Sequence, residues 1–376
     1  MAVEKARLYW ADYLRAFVVM LVVNVHACAT YSHVGGWYLQ IGKDPPFLVK
    51  SLLAAWQAHI HSFFMGLLFF LAGYFAHLSL VRKGTTPFVK ERFLRLALPA
   101  FVYMALFHTI IVMLTAGDKA PHSPVGFYLY YVQKTSYLLD TGHLWFALFL
   151  LMISVVFAWY RQARPLAQGV DTPLETVQAK PVLLVGLSLV FASFLVRIWF
   201  PVRYGFHDFQ PCYFSQYIIA FAAGIYTARH EGLTVLAASP LARRAGICAL
   251  CCSPLFLGLL YVLGGKVETV YFGGLRWQAF GFAAWEQFTG LGLSLGLLSI
   301  FSQKLNVDSP KMRWMAERSF GVYVFHGPVI VVLAVLLKPV HTSPFILVGV
   351  VTVLGIVVSH IVAAAVSKIP GLAKLF

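Results

Sequence analysis

The chain has 376 residues, 60% of them hydrophobic, 16% aromatic and only 11% charged, and its mean hydropathy is +0.77. Soluble domains carry about a quarter charged residues, so this composition excludes a soluble domain and defines an integral membrane protein. The net charge of +15 does not signal nucleic acid as a partner, because the Lys and Arg residues lie between apolar runs and form no basic stripe with interleaved aromatics.

A helix needs about 20 apolar residues to cross a bilayer. In chain order the sequence predicts ten such runs, near residues 12–31, 59–81, 94–115, 141–160, 181–200, 211–227, 244–263, 279–301, 319–337 and 343–366. They lack the apolar/polar alternation of barrel strands. The expected fold is an all-α polytopic membrane protein with about ten transmembrane helices, and residues 1–376 form one membrane-embedded domain. With both termini cytoplasmic, 20 of the 29 Lys and Arg residues fall on the inner side and nine on the outer side, as the positive-inside rule requires. The lipid bilayer is thus the first partner. No internal repeat or pair of broken spans marks an inverted-repeat transporter.

The first run, ADYLRAFVVMLVVNVHACATY, carries three ionisable groups, Asp12, Arg15 and His26, and such groups at membrane depth usually mark a functional site. Arg15 and His26 are 11 residues apart, which on a helix returns to within roughly 20° of the same face about 16 Å further along. Asp12 and Arg15 at i, i+3 can form an ion pair that lowers the cost of Arg15. The competing reading is a cleavable signal peptide, with Lys5 and Arg7 before an apolar stretch ending in Ala27-Cys28-Ala29. Cleavage there would remove the ionisable groups.

In the second run, HIHSFFMGLLFFLAGYFAH places His59 and His61 at the outer end. Before the third, Gly84-Thr85-Thr86-Pro87 predicts a turn, and Lys90, Arg92 and Arg95 lead into the span. Those cations satisfy the positive-inside rule and also suit phosphate binding through forked hydrogen bonds. The fourth run opens TGHLWF with His143 at the depth of His61, and the eighth supplies Glu286. Packed together, these spans would enclose a histidine-rich outer cavity holding one carboxylate. Histidine suits general-base work, since its pKa lies near neutrality. His59 and His61 lack the i, i+3 or i, i+4 spacing that puts two metal ligands on one face, and no metal is expected.

In the eighth run, GLGLSLGL suits close helix packing. In the ninth, SFGVYVFHGPV sets His326 nearer mid-membrane, two residues before Pro328, which is expected to kink the helix. Two readings of His326 stay open: it lines the same path, or it hydrogen-bonds a neighbouring span. The five cysteines include the cluster CALCC at Cys248, Cys251 and Cys252, read as small buried hydrophobes. A row of intramembrane histidines with a glutamate can also relay protons, so a proton-coupled transporter is the alternative function.

Arg15 and His26, within DYLRAFVVMLVVNVHA, resemble the R-x10-H signature of the membrane acyltransferase 3 family. FFMGLLFFLAGYF, FVKERFLRLALP, GHLWF and SFGVYVFHGPV resemble further family segments in the same order. The likeness is greatest to the family's glucan biosynthesis protein C group, through HSF-x-M, HLWF and the ending IPGLAKLF. Two positions depart from it: Ala72-Gly73 stands where many relatives have Ser-Gly, and WFALFLL lacks a glutamate that some relatives carry.

The resemblance implies a multi-pass enzyme of the bacterial cytoplasmic membrane that moves an acyl group, acetyl or succinyl, from cytosolic acyl-CoA to a hydroxyl of a glycan or small molecule. Arg15, Arg92 and Arg95 would then hold the donor's phosphates, with His326 grouped on the donor-binding side. His26 would be the general base. His61, His143 or a backbone amide would stabilise the oxyanion, and any carboxylate role would fall to Glu286.

Overall fold

The computed structural model describes residues 7–115, 123–133, 140–164, 172–265 and 267–372. Lys5, Lys119, Lys134, Lys266 and Lys374, all counted in the charge asymmetry, lie outside them. Among the described residues ten long helices carry the fold: α1 (Tyr9–Ser32), α2 (Phe47–Lys83), α3 (Thr85–Thr115), α4 (Gly142–Ala163), α5 (Ala179–Trp199), α6 (Phe214–Arg229), α7 (Pro240–Gly264), α8 (Trp277–Lys304), α9 (Ser319–Leu336) and α10 (Pro344–Val366). Among the described residues there is no strand, only an isolated bridge between Phe206 and Phe209. The protein is therefore an all-α polytopic membrane protein.

Eight of the ten helices are long and apolar enough to cross a membrane. The exceptions sit inside the same bundle. α6 has 16 residues and runs parallel to α2, its Gly224 so close that a Cβ would overlap the Phe70 carbonyl. α8 is long but carries buried Glu286 and Gln287, which lower its apolarity and turn inward. It runs antiparallel to α7, with Gly246 against Gly296 and the Trp285 indole donating to the Ser253 carbonyl at 2.8 Å. Gly290, Gly292 and Gly296, all within the GLGLSLGL region or beside it, each lie against a neighbouring helix where a Cβ would not fit. Close approach of small residues is how helices associate without a hydrophobic drive between them.

α1 is the most buried of the eight candidate spans. Ala27, Cys28 and Ala29 are 0%, 0% and 4% exposed, so the stretch that resembles a cleavage site is core packing between α1 and its neighbours. At its other end, the Tyr13 hydroxyl donates to the Val307 carbonyl at 3.0 Å, joining the start of α1 to the turn after α8. This side is the Arg15 face; the opposite side is the His26 face.

Local chemistry shifts some expected boundaries. The turn before α3 is confined to Gly84, at φ 76°, and the helix starts at once with Thr85. α3 widens into π turns at Phe93–Ala97 and Tyr103–Phe107 on either side of Pro99, because proline removes an intrahelical donor and the ladder must re-register around it. α2 begins 12 residues before the expected 59, at Phe47. Cys248, Cys251 and Cys252 are exposed rather than buried: they lie on the outward face of α7, the least buried of the eight candidate spans, where lipid would cover them.

Candidate active site

Three histidines from helices far apart in sequence meet at the His26 end of α1. His26 Nδ1 lies 2.9 Å from His326 Nε2 of α9, and the rings of His143 and His326 are 4.2 Å apart at their centroids. His143 is carried on the first turn of α4. A loop residue completes the cluster: the Trp37 indole stacks on His26 at 3.9 Å and 12°.

Hydrogen bonding fixes which nitrogen carries each proton. A carbonyl can only accept, so His326 Nδ1–H donates to the Tyr323 carbonyl, 2.6 Å away. In the neutral ring His326 Nε2 is then an acceptor, and His26 Nδ1–H donates to it. His26 Nε2 is left with a lone pair and no hydrogen-bond partner among the described residues, on a residue that is only half-buried. His143 follows the same rule: Nε2–H donates to the Val324 carbonyl at 3.1 Å, leaving Nδ1 as a buried acceptor without a partner among the described residues.

The sequence His326-Gly327-Pro328 explains how the two rings fit against α9. Pro328 has no N–H, so the carbonyl four residues back, that of Val324, loses its helical donor; His143 Nε2–H takes its place. Gly327 supplies the room, since a Cβ there would come within 2.6 Å of His143 Cε1 and 3.0 Å of the Tyr103 hydroxyl. Tyr323 then ties the turn down by donating its hydroxyl to the His143 carbonyl.

A ring of loop and tyrosine contacts holds the His143 turn from the His26 face. Gly142 has φ +55°, a left-handed conformation suited to glycine, and its N–H donates to Asp208 Oδ2 at 2.6 Å. Burial pushes the Asp208 carboxyl up from its ordinary pKa, opposed by the Gly142 N–H and the Thr141 hydroxyl. The Tyr38 and Tyr103 hydroxyls lie 3.2 Å apart, and burial pushes the Tyr38 phenol well up. The Tyr103 ring meets His143 edge-on at 4.8 Å.

At the other end of α1, Arg15 Nη2 donates to Asp12 Oδ1 at 2.6 Å, the i, i+3 pair read from the sequence. Arg15, Arg92 and Arg95 lie within electrostatic range of one another. The Arg15 guanidinium stands over the Phe75 ring at 5.5 Å, and its Nε is unpartnered among the described residues. Glu91 bridges Lys83 and Arg95, a role not foreseen for it. α1 is continuous between Arg15 and His26, so the two are about 16 Å apart along its axis.

Other expected site residues fall elsewhere. Glu286 forms a buried ion pair with Arg197, whose side chain is 0% exposed, and also accepts from Gln287 Nε2 at 2.9 Å. Its face of α8 turns toward α5, so the carboxylate belongs to a structural pair and not to the histidine cluster. His61 feels the cluster electrostatically but packs edge-on against Phe64. His59 donates to the Ala55 carbonyl at 2.7 Å and lies against Trp285. His326 is the hydrogen-bond partner of His26 and lies apart from the arginine cluster, so of its two readings the hydrogen bond to a neighbouring span is the one seen. His143 has an acceptor to offer and no N–H, which removes it as an oxyanion donor in the neutral state. Trp37, Tyr38, Tyr103, Tyr323 and Asp208 escaped the sequence reading; the one signal available was the Tyr323-to-Pro328 stretch itself.

The arrangement sets a histidine with an open ring nitrogen at one end of a buried helix and a group of arginines at the other, a layout suited to a membrane enzyme. Comparison with known sequences supports that class: the profile of a family described as an acyltransferase domain, the acyltransferase 3 family, matches residues 8–364. The chain belongs to this family. It is similar to Glucans biosynthesis protein C of Salmonella paratyphi B, 22% identical with 94% of this chain and 91% of that protein covered. It is likewise similar to Glucans biosynthesis protein C of Escherichia coli, 23% identical over 95% and 91%. No solved structure matches the chain.

Proposed function

We propose that this membrane acyltransferase uses acyl-CoA as donor and esterifies a hydroxyl of a glycan or small-molecule acceptor, as one membrane-embedded domain with both termini in the cytosol of a bacterial inner membrane. The observation that carries the reading is the fixed tautomer chain from the Tyr323 carbonyl through His326 to His26, which leaves His26 Nε2 as an oriented base. The inner-side excess of Lys and Arg supports the orientation. It puts the arginine cluster on the side where a CoA phosphate would arrive, with the pantetheine arm lying along α1 toward His26.

In the reaction, His26 Nε2 takes the proton of the acceptor hydroxyl as its oxygen attacks the thioester carbonyl. The tetrahedral oxyanion then collapses, the C–S bond breaks, and the proton on His26 Nε2 passes to the departing CoA sulfur. The products are an ester and free CoA. The imidazolium formed in between is stabilised through Nδ1–H to His326 and the Tyr323 carbonyl. Glucans named in the relatives make a polymeric glycan the first acceptor class to test, and acetyl- and succinyl-CoA the first donors.

The test is transfer of labelled acyl groups from acyl-CoA to glycan fractions in membrane vesicles. Wild type should transfer label and His26→Ala should lose transfer about 10²- to 10⁴-fold, the scale of general-base catalysis, while remaining folded in the membrane. Retention of transfer by His26→Ala would refute the base assignment. Wild-type vesicles that accept no label but conduct a pH-dependent solute flux would favour the transporter reading.

A further inference from the structure

The chemistry above creates an oxyanion, and we infer that the indole N–H of Trp37 is the side-chain donor that stabilises it. This inference rests on the acyl-CoA reading. The three imidazole N–H groups of the cluster are already committed: that of His26 to His326, that of His326 to the Tyr323 carbonyl and that of His143 to the Val324 carbonyl. Trp37 Nε1–H is different. It is buried and without a hydrogen-bond partner among the described residues.

An unmet buried donor is costly, and an indole nitrogen can only donate. A site that keeps such a group empty beside its base has a donor ready for an acceptor that arrives with the substrate. Geometry matches the need. The indole and the His26 ring lie nearly parallel at 12°, with centroids 3.9 Å apart, so the indole N–H and the His26 Nε2 lone pair lie in neighbouring parallel planes. A tetrahedral carbon bonded to the attacking oxygen places its oxyanion on an adjacent vertex, so one group can face each oxygen. As the carbonyl π pair moves onto oxygen, the Trp37 N–H hydrogen bond becomes charge-assisted and stronger. It therefore favours the transition state over the bound thioester, and the pair returns to carbon as the C–S bond breaks. Preorganised donors of this kind are among the largest catalytic contributions.

Trp37 is held for this role by its neighbours. The Tyr38 ring packs against it at 4.8 Å, and the same short loop is anchored by Ile41 N–H donating to the Thr30 carbonyl at the end of α1.

The test compares wild type, Trp37→Phe and Trp37→His for release of CoA and transfer of label. Trp37→Phe keeps an aromatic face on His26 but has no donor. Its kcat should fall about 10²- to 10³-fold, the loss seen on removing one oxyanion donor, with KM for acyl-CoA within about twofold of wild type, an equality expected of a group that acts on the transition state. The midpoint of the kcat–pH profile should stay put, because His26 and His326 are untouched. Trp37→His, which restores an N–H, should recover part of the rate. A Trp37→Phe enzyme with wild-type kcat, or one altered only in KM, would overturn the assignment while leaving the acyl-CoA reading intact. A wild-type protein that transfers no acyl group from acyl-CoA would overturn both.

Discussion

Replacing His326 by alanine separates two roles for that residue. If His326 orients the base, His326→Ala removes the acceptor of His26 Nδ1–H, 2.9 Å away, and frees His26 to adopt the wrong tautomer. It also removes the group that stabilises the imidazolium when His26 takes the acceptor's proton. A hydrogen bond to a charged group is worth about 1.5–3 kcal/mol, and each 1.36 kcal/mol is tenfold in rate, so kcat should fall roughly 10- to 150-fold. KM for acyl-CoA should hardly change, because His326 has no contact with the arginine cluster. CoA release measured across a range of donor concentrations in vesicles separates the two parameters.

The same residue gives an internal check. If His26 and His326 act as one unit, the double variant His26→Ala/His326→Ala should be no slower than His26→Ala alone, since groups of this kind are non-additive. A His326→Ala enzyme with wild-type kcat and a raised KM would refute the orienting role and return His326 to the donor site. A double variant slowed by the product of the two single effects would refute the relay.

Three further outcomes follow from the geometry. Arg15→Ala should raise KM for acyl-CoA about tenfold or more, the worth of a charge-assisted hydrogen bond, with little change in kcat; a fall in kcat alone, measured by the same CoA-release assay, would count against phosphate binding there. Glu286→Ala strands the Arg197 guanidinium in a buried site and should cost about 3–5 kcal/mol, read as a lower melting temperature in detergent, whereas Arg197→Met/Glu286→Leu should recover most of the loss. Gly327→Ala should force His143 and Tyr103 aside, lowering the melting temperature by the equivalent of about 1–3 kcal/mol and reducing transfer.

The helices were largely legible from the sequence because a run of apolar residues at membrane depth allows little else. The Arg15 and His26 pair was legible for a second reason: both lie on one helix, where residue spacing fixes both angle and rise. The partnership of His26 with His326 was not, since the two are 300 positions apart and their meeting depends on how α1 and α9 pack. Glu286 shows the same limit from the other side. Its depth was read from its place in the eighth run, but depth says nothing about azimuth, and α8 is rotated so that the carboxylate meets Arg197. Trp37 lies in a loop with no periodicity, where only the folded chain reveals that its ring covers His26.

The absence of a carboxylate behind His26, at least among its described partners, fits the environment. An unpaired Asp or Glu at that depth would carry a costly charge, and the buried carboxylate of Glu286 is neutralised by a guanidinium. His326, anchored on a backbone carbonyl, selects the tautomer of His26 without adding net charge to the site. In the proposed reaction the hydroxyl and the thioester are also neutral, so bound reactants bring no new charge into the low-dielectric interior. Charge appears when the proton has moved to His26 and the oxyanion has formed, and at that moment the His326 relay and the Trp37 N–H act on opposite ends of the new ion pair. Their interactions are thus weak in the ground state and strong in the transition state, which is the condition under which binding energy lowers a barrier.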